Sequence, residues 1–547
     1  MSKKMAAPAA LTRALALRGF ALNTTDCGEW FRYCGALIVD GESYPVELEV
    51  DPVGKDLPQI RLTPIPDELQ PVAAHVFPTG HLCYAAAGTI VLDVFDLVGQ
   101  VMACIDRGTE VLGKILRGEM VKDMEDEFFA CWPSGAFCFL DLEGRQHVPA
   151  RAIVLQSALE GGHSPIAVTE DIERTTRKLV SCGFSVDMQR GVRVRCFRTE
   201  IAPRPLQSNW PPKTVANILH WQAIIDHRTR KKLEDAIIAE AKTDTNGLVC
   251  VVQSPRFTYA FAVVFKRSSQ RSTNRATREL AYSSAVIPMY CLRIDDTHIA
   301  QRNTPGRATL AGKKLALVGC GTIGGFLAEY LVKAGAGTNG GELNLYDTDI
   351  LFPHNVGRHR LGFNSIRQNK AVALGEELSR TAPSATIRPF PVDALDADLS
   401  GVDLVIDATG EEALGHLFAK KFSGEAFRPF LSVWVAGPGT AVRALLRDSS
   451  EAACVRCLKT VDRRQVYPVG GASDEVVFAG HGCESLYVPF PVTASIQAAC
   501  LAVGMALDWA AGTTHARLRT CILDGAVRGS IEQVDPRRQA ECPACSA

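Results

Sequence analysis

Apolar and polar residues along this chain follow three patterns. Short β-type runs at Phe31 to Val39 and Tyr44 to Val50 are separated by Asp40-Gly41. With Gln59 to Leu62, which follows a proline-bearing turn, they predict a small antiparallel meander. Helical spacing governs Leu97 to Leu116 and Lys122 to Trp132, the second stopping at Pro133. Beyond residue 300, strand and helix alternate. A buried-strand run, Leu315 to Val318, leads through a glycine turn into a helix with Ile323, Phe326, Leu327, Tyr330 and Leu331 on one face. A second strand, Leu343 to Tyr346, ends at Asp347, and a later one runs from Val402 into Asp407 and Gly410.

Between these blocks the pattern is weaker. Arg151 to Leu155, Val192 to Phe197, Leu248 to Gln253 and Tyr259 to Phe265 are strand-like, a charged helix is expected over Lys213 to Lys242, and Lys266 to Arg278 reads as a solvated loop. The first twenty residues suit an amphipathic helix, because arginines interrupt their apolar stretch. Three domains follow: an α+β domain at 1–148, an α/β linker at 149–295, and a Rossmann-like α/β domain at 296–547.

Composition removes several function classes. A net charge of −1 gives no bulk attraction to nucleic acid or anionic membrane. No window reaches eighteen uninterrupted apolar residues, so no membrane span is expected. The 18 cysteines, many inside apolar runs, fit a reducing cytoplasm better than a disulfide scaffold.

The chemistry concentrates around Gly319-Cys320-Gly321-Thr322-Ile323-Gly324. A glycine turn between strand and helix lets a phosphate approach the backbone and the free N–H groups of the helix start, and an acid such as Asp347 can take ribose hydroxyls. A dinucleotide-dependent oxidoreductase needs little more than that acid. Asp349, Asn355, Arg358 and Lys370 add the cations and amide that a triphosphate needs for cleavage between its α and β phosphates, which favours ATP. Asp407, Glu411 and Glu412 are the carboxylates left for Mg2+, Asp407 first among them. Two CxxC pairs, Cys454/Cys457 and Cys542/Cys545, suit one tetrahedral Zn2+ that pins the C-terminus to the α/β core. Cys483, beside His481 and ahead of a helix from Val492 to Trp509, has a setting that favours its thiolate.

The run Asp347-x-Asp349, Asn355-x-x-Arg358, Lys370 resembles the adenylation signature of ubiquitin-activating enzymes and ThiF/MoeB-type adenylyltransferases. That resemblance implies ATP and Mg2+ as cofactors, a zinc knuckle, a homodimer, Arg302 reaching the nucleotide phosphates, and Cys483 as the thioester-forming cysteine. Gly80-His81-Leu82-Cys83 is similar to the active-site segment of ubiquitin-conjugating enzymes, which would make Cys83 an acyl acceptor. The conjugating family's His-Pro-Asn is replaced here by His75-Val76-Phe77-Pro78, and the family's asparagine is absent. A conjugating-like domain ahead of an activating domain resembles the fused ubiquitin-transfer-like enzymes of bacterial antiviral operons. There the donor is a ubiquitin-like protein or a cyclic-nucleotide-forming nucleotidyltransferase, joined through its C-terminal glycine to an amine on a target. A sulfur-carrier adenylyltransferase with a purely binding N-terminal domain is the alternative.

Overall fold

The computed structural model describes residues 9–23, 29–85, 92–132, 136–144, 149–156, 164–187, 192–206, 210–243, 245, 247–265, 274–462, 488–513, 516–524 and 533–545. They form two compact units. The first holds residues 1–139, 150–168 and 187–292; the second holds 140–149, 169–186 and 293–547.

In the first unit the meander forms as expected. Strands Ala21–Leu22, Phe31–Val39, Glu42–Val50 and Gln59–Leu62 lie side by side in chain order, all antiparallel. Asp40 and Gly41 both take positive φ (50° and 88°), which a two-residue hairpin turn demands if it is to match the strand twist. Helix Leu97–Leu116 packs Val101, Ile105 and Leu112 onto the sheet, and Leu11 and Leu15 of helix Ala9–Leu17 join the same core.

The helix expected over Lys122 to Trp132 is broken into a 3-10 turn, Val121–Met124, and a single turn, Phe128–Cys131. Packing overrides propensity there. Phe128 and Trp132 enter an aromatic cluster with Trp210, Trp221 and Tyr259, in which Phe128 stacks on Trp221 with ring centres 6.0 Å apart. The indole N–H of Trp132 donates to Met289 O, and that of Trp210 to Cys131 O. A second sheet of this unit carries consecutive strands Arg151–Gln156, Ile166–Thr169, Ala136–Asp141, Ala285–Arg293, Thr258–Val264, Gly247–Gln253 and Arg193–Arg198. The charged helix expected over 213–242 is two helices, Val215–Ile225 and His227–Ala241. Asp226, extended at φ −151°, ends the first and caps the second by accepting from the N–H groups of Arg228 and Thr229. Part of the expected 266–278 loop is also helical, at Asn274–Tyr282.

The second unit is built on a seven-stranded sheet. Its order is Ile387–Phe390, Glu342–Tyr346, Lys314–Val318, Leu404–Asp407, Phe430–Ala436, Ala441–Arg447 and Leu518–Ile522. The first five strands run parallel, and Ala441–Arg447 pairs antiparallel with both of its neighbours. Strand order reverses between Lys314–Val318 and Leu404–Asp407, and the carboxyl edge beside such a reversal is where doubly wound sheets hold ligands. Helix Val492–Ala511 is long and apolar enough to cross a membrane, a case the search for uninterrupted runs missed. It packs instead in this core through Ala494, Ala498, Ala502 and Met505. Residues 140–149 and 169–186 are tied to each other through buried Asp141, which accepts from Arg174, Thr175 and Lys178, and to the rest of the unit through Lys178, which donates to Ile294 O and pairs with Asp296. Losing Asp141 would leave buried Arg174 without its carboxylate partner, while Lys178 keeps Asp296, at a cost of roughly 3–5 kcal/mol.

Candidate active site

A cleft of about 460 Å³ opens at the reversal point of the seven-stranded sheet. Gly319, Gly321 and Thr322 form its floor, Asp347 and Asp349 one wall, Thr409 and Glu411 the other. The three motif glycines are needed for different reasons. At Gly319 φ is +85° and a Cβ would press on Thr409, while at Gly324 a Cβ would sit 1.8 Å from the carbonyl oxygen of Gly319. At Gly321 nothing lies within 4 Å, so the missing side chain leaves the backbone open to the cleft. Gly321 also precedes helix Thr322–Lys333, whose first turn no side chain caps, so its N–H groups and the positive end of its dipole face the cleft.

Asp347 is held in place rather than free. Its two oxygens accept from the N–H groups of Cys320 (2.7 Å) and Asp349 (2.8 Å), tying the glycine loop to the end of the second strand. Burial raises its carboxyl above the ordinary range despite those bonds. Lys370, at the start of helix Lys370–Thr381, is buried, lines the cleft and donates to Asp349 at 2.8 Å. His359, overlooked in the motif, fastens the loop from below. Its Nδ1 accepts from Leu361 N, so its Nε2 carries the proton and donates to Cys320 O at 2.9 Å. Burial lowers its pKa to about 4, which keeps the ring neutral.

The remaining motif residues are less direct. Arg358 is not among the lining residues; its guanidinium lies 4.5 Å from the ring centre of Phe490, which is one. Asn355 accepts from Phe352 N at 3.0 Å within the turn Pro353–Arg358. Asp407 is buried beneath the cleft, where one oxygen accepts from both N–H and Oγ1 of Thr409; Glu411, two residues beyond Thr409, lines the cleft itself, as do Asp347, Asp349 and Asp393. Burial pushes Asp407 up to about 6. Arg302 ends helix Asp296–Gln301, is exposed, and does not line the cleft. Thr409 and Phe490 escaped the sequence reading because they are set by a strand end and a helix start, not by a motif, whereas Glu411, one of the carboxylates expected for Mg2+, does line the cleft.

The four cysteines of the two CxxC pairs are buried together. Their sulfurs are 3.7 Å apart for Cys454–Cys457 and Cys454–Cys542, and 3.5 Å for Cys457–Cys545. Zinc–sulfur bonds of about 2.3 Å in a tetrahedron put sulfurs about 3.8 Å apart, so this donor set fits Zn2+.

In the first unit Cys83 is half-buried, and its N–H donates to His75 O at 2.8 Å. One ligand-type atom each from Cys83, His75 and Glu127 lies within 4.8 Å of the others. Burial, and then the Glu127 carboxylate, raise the Cys83 thiol above its ordinary value. Glu127 carries no motif of its own within the expected Lys122 to Trp132 helix, and its approach to residue 75 needs two segments about fifty residues apart. Cys483 and His481 lie outside the described residues.

The ThiF family model matches residues 296–544. The chain is 46% identical over 547 residues, 99% of each chain, to an ATP-dependent ubiquitin transferase-like protein Cap2 of Pseudomonas aeruginosa. It is 27% identical to a protein of the same name from Escherichia coli, covering 90% of this chain and 89% of the other. Among solved structures, Escherichia coli MccB with ATP overlays 45% of this chain and 69% of its own, at 14% identity and a TM-score of 0.33.

Proposed function

The chain belongs to the Cap2 family of ATP-dependent ubiquitin transferase-like proteins, and from that premise we propose that its two units run an acyl relay between two cysteines. It is an ATP-using enzyme with a C-terminal ThiF adenylyltransferase domain. In the proposed sequence, the C-terminal glycine carboxylate of a donor attacks the α-phosphorus of ATP, and pyrophosphate leaves. The Cys483 sulfur then displaces AMP to form a thioester. The acyl group moves to Cys83, and an amine on a target takes it as an amide. Thioester exchange is nearly isoenergetic, so ATP cleavage supplies the direction.

The observation that carries this reading is the cleft: an uncapped helix start over an open Gly321 backbone, with Lys370 and Asp349 beside it. The glycine loop would cradle the phosphates and Asp347 the ribose, with Asn355, Arg358 and Lys370 around the triphosphate. Mg2+ bound with ATP would neutralise phosphate charge, and Glu411 on the cleft surface or Asp407 beneath it would hold it. Zn2+ on Cys454, Cys457, Cys542 and Cys545 is structural. Arg302, exposed at a helix end, suits a role in the cleft of a second copy, as a homodimer would allow. We assign 1–148 to a ubiquitin-conjugating-like domain, 149–295 to a linker and 296–547 to the adenylation domain. The donor is a ubiquitin-like protein or a cyclic-nucleotide-forming nucleotidyltransferase, in antiviral defence in the cytoplasm.

The test is incubation with ATP and the product of the neighbouring gene, read on non-reducing gels for Cys83→Ala and Cys483→Ala. A reductant-sensitive adduct that accumulates in Cys83→Ala and is absent from Cys483→Ala is the expected result. Adducts of equal intensity in both variants would end the relay. A donor that ends in a thiocarboxylate, formed equally well by Cys83→Ala, would favour a sulfur-carrier type of enzyme with a non-catalytic N-terminal domain.

A further inference from the structure

The surroundings of Cys83 contain a cation that no part of the relay has yet used. His75 takes a positive φ of 61°, a left-handed conformation uncommon outside glycine, though histidine adopts it more readily than most. Glu127 holds it twice. One carboxylate oxygen accepts from His75 N at 2.6 Å, and the other lies 2.5 Å from Nδ1, an ionic contact rather than an aligned hydrogen bond. Asp123 lies 3.0 Å from Nε2. With a carboxylate at each ring nitrogen, the imidazole carries both protons. Phe128, next to Glu127, is fully buried in the aromatic cluster, which fixes where Glu127 stands.

We propose that His75, as an imidazolium held by Glu127 and Asp123, is a further catalytic residue of the Cys83 steps, stabilising the negative charge that develops at the sulfur and the carbonyl oxygen. This inference rests on the reading of Cys83 as an acyl carrier. When the amine attacks the Cys83 thioester, a C–N bond forms and the C–S bond breaks. The sulfur leaves with the electron pair, and the proton the amine loses replaces the lost bond, so amide and free thiol result with no redox change. A positive charge on a ring whose nitrogen lies within 4.8 Å of the Cys83 sulfur is the kind of preorganised electrostatics that such a step needs. Glu127 and Asp123 are positioning residues. Among the described residues, the charged and titratable groups in contact with the ring are these two carboxylates and the Cys83 thiol. Contact with Glu127, and after it with Asp123, raises the ring's pKa to about 9.

The probe is a glycine-terminated peptide thioester of 2-mercaptoethanesulfonate, used with the full chain carrying Cys483→Ala and with free lysine as acceptor. It loads Cys83 without ATP, and its discharge is followed in single turnovers across pH 7–10. We expect His75→Asn to slow discharge on the order of a hundredfold. We also expect the wild-type rate to fall as pH passes about 9, where the imidazolium is lost, and that falling limb to be absent from the variant. Glu127→Gln should move the limb to lower pH, a change that a merely structural role would not produce. Melting curves within a degree or two of wild type exclude misfolding. Unchanged discharge and an unchanged pH profile in folded His75→Asn would overturn the role of His75 and leave Cys83 as the carrier. Failure of Cys83→Ala to abolish loading would overturn the underlying reading instead.

Discussion

The three motif glycines look equivalent in the sequence and are not equivalent in the structure. Gly324→Ala forces a methyl onto the Gly319 carbonyl, so we expect a lower melting temperature, a loss of about 1–3 kcal/mol, and loss of ATP binding together. Gly321→Ala meets nothing, so its melting curve should match wild type while calorimetric ATP affinity falls. Asp407 offers a test of burial. Its folded pKa of about 6 lies above the ordinary aspartate value of 3.8, so its ionisation opposes folding by about 3 kcal/mol at pH 8, and the penalty fades as pH falls through 6 toward 4. Asp407→Asn should therefore stabilise the chain most at pH 8 and least at pH 4, read as the difference in melting temperature. The sequence suggested that Asp407 faces the nucleotide; the bonds to Thr409 show why spacing alone cannot say which way a strand-end acid turns.

Elements with strong periodicity were legible. The hairpin around Asp40-Gly41, the helix Leu97–Leu116 and the strand–turn–helix at Lys314–Lys333 all form where the pattern put them. Elements decided by tertiary packing were not. A run of helix formers over 213–242 gave no sign that Asp226 would divide it, and the aromatic cluster that breaks 122–132 joins residues far apart in the chain. The paired CxxC motif was legible because metal chemistry fixes its spacing. With those sulfurs at zinc distances, elemental analysis should find about one zinc per chain, and Cys542→Ser or prolonged chelation should lower the melting temperature by freeing the tail from helix Val455–Asp462. A preparation with no zinc and the same melting temperature would refute a structural metal.

For the whole molecule, the two units divide the proposed labour. Cys83 belongs to one and the nucleotide cleft to the other. ATP–pyrophosphate exchange dependent on the donor should thus survive Cys83→Ala while amide formation is lost, and Lys370→Met should reduce both. Overlap of function within one unit would make the two activities fall in parallel. Phe490 sets one more limit. It lines the cleft beneath Arg358 and stands just ahead of the buried helix Val492–Ala511, and Cys483 is seven residues upstream of it. Seven residues at full stretch reach about 25 Å, so the thiol is leashed to the rim of the nucleotide cleft whatever path its segment takes. Any acceptor sulfur farther away than that must itself travel to meet it.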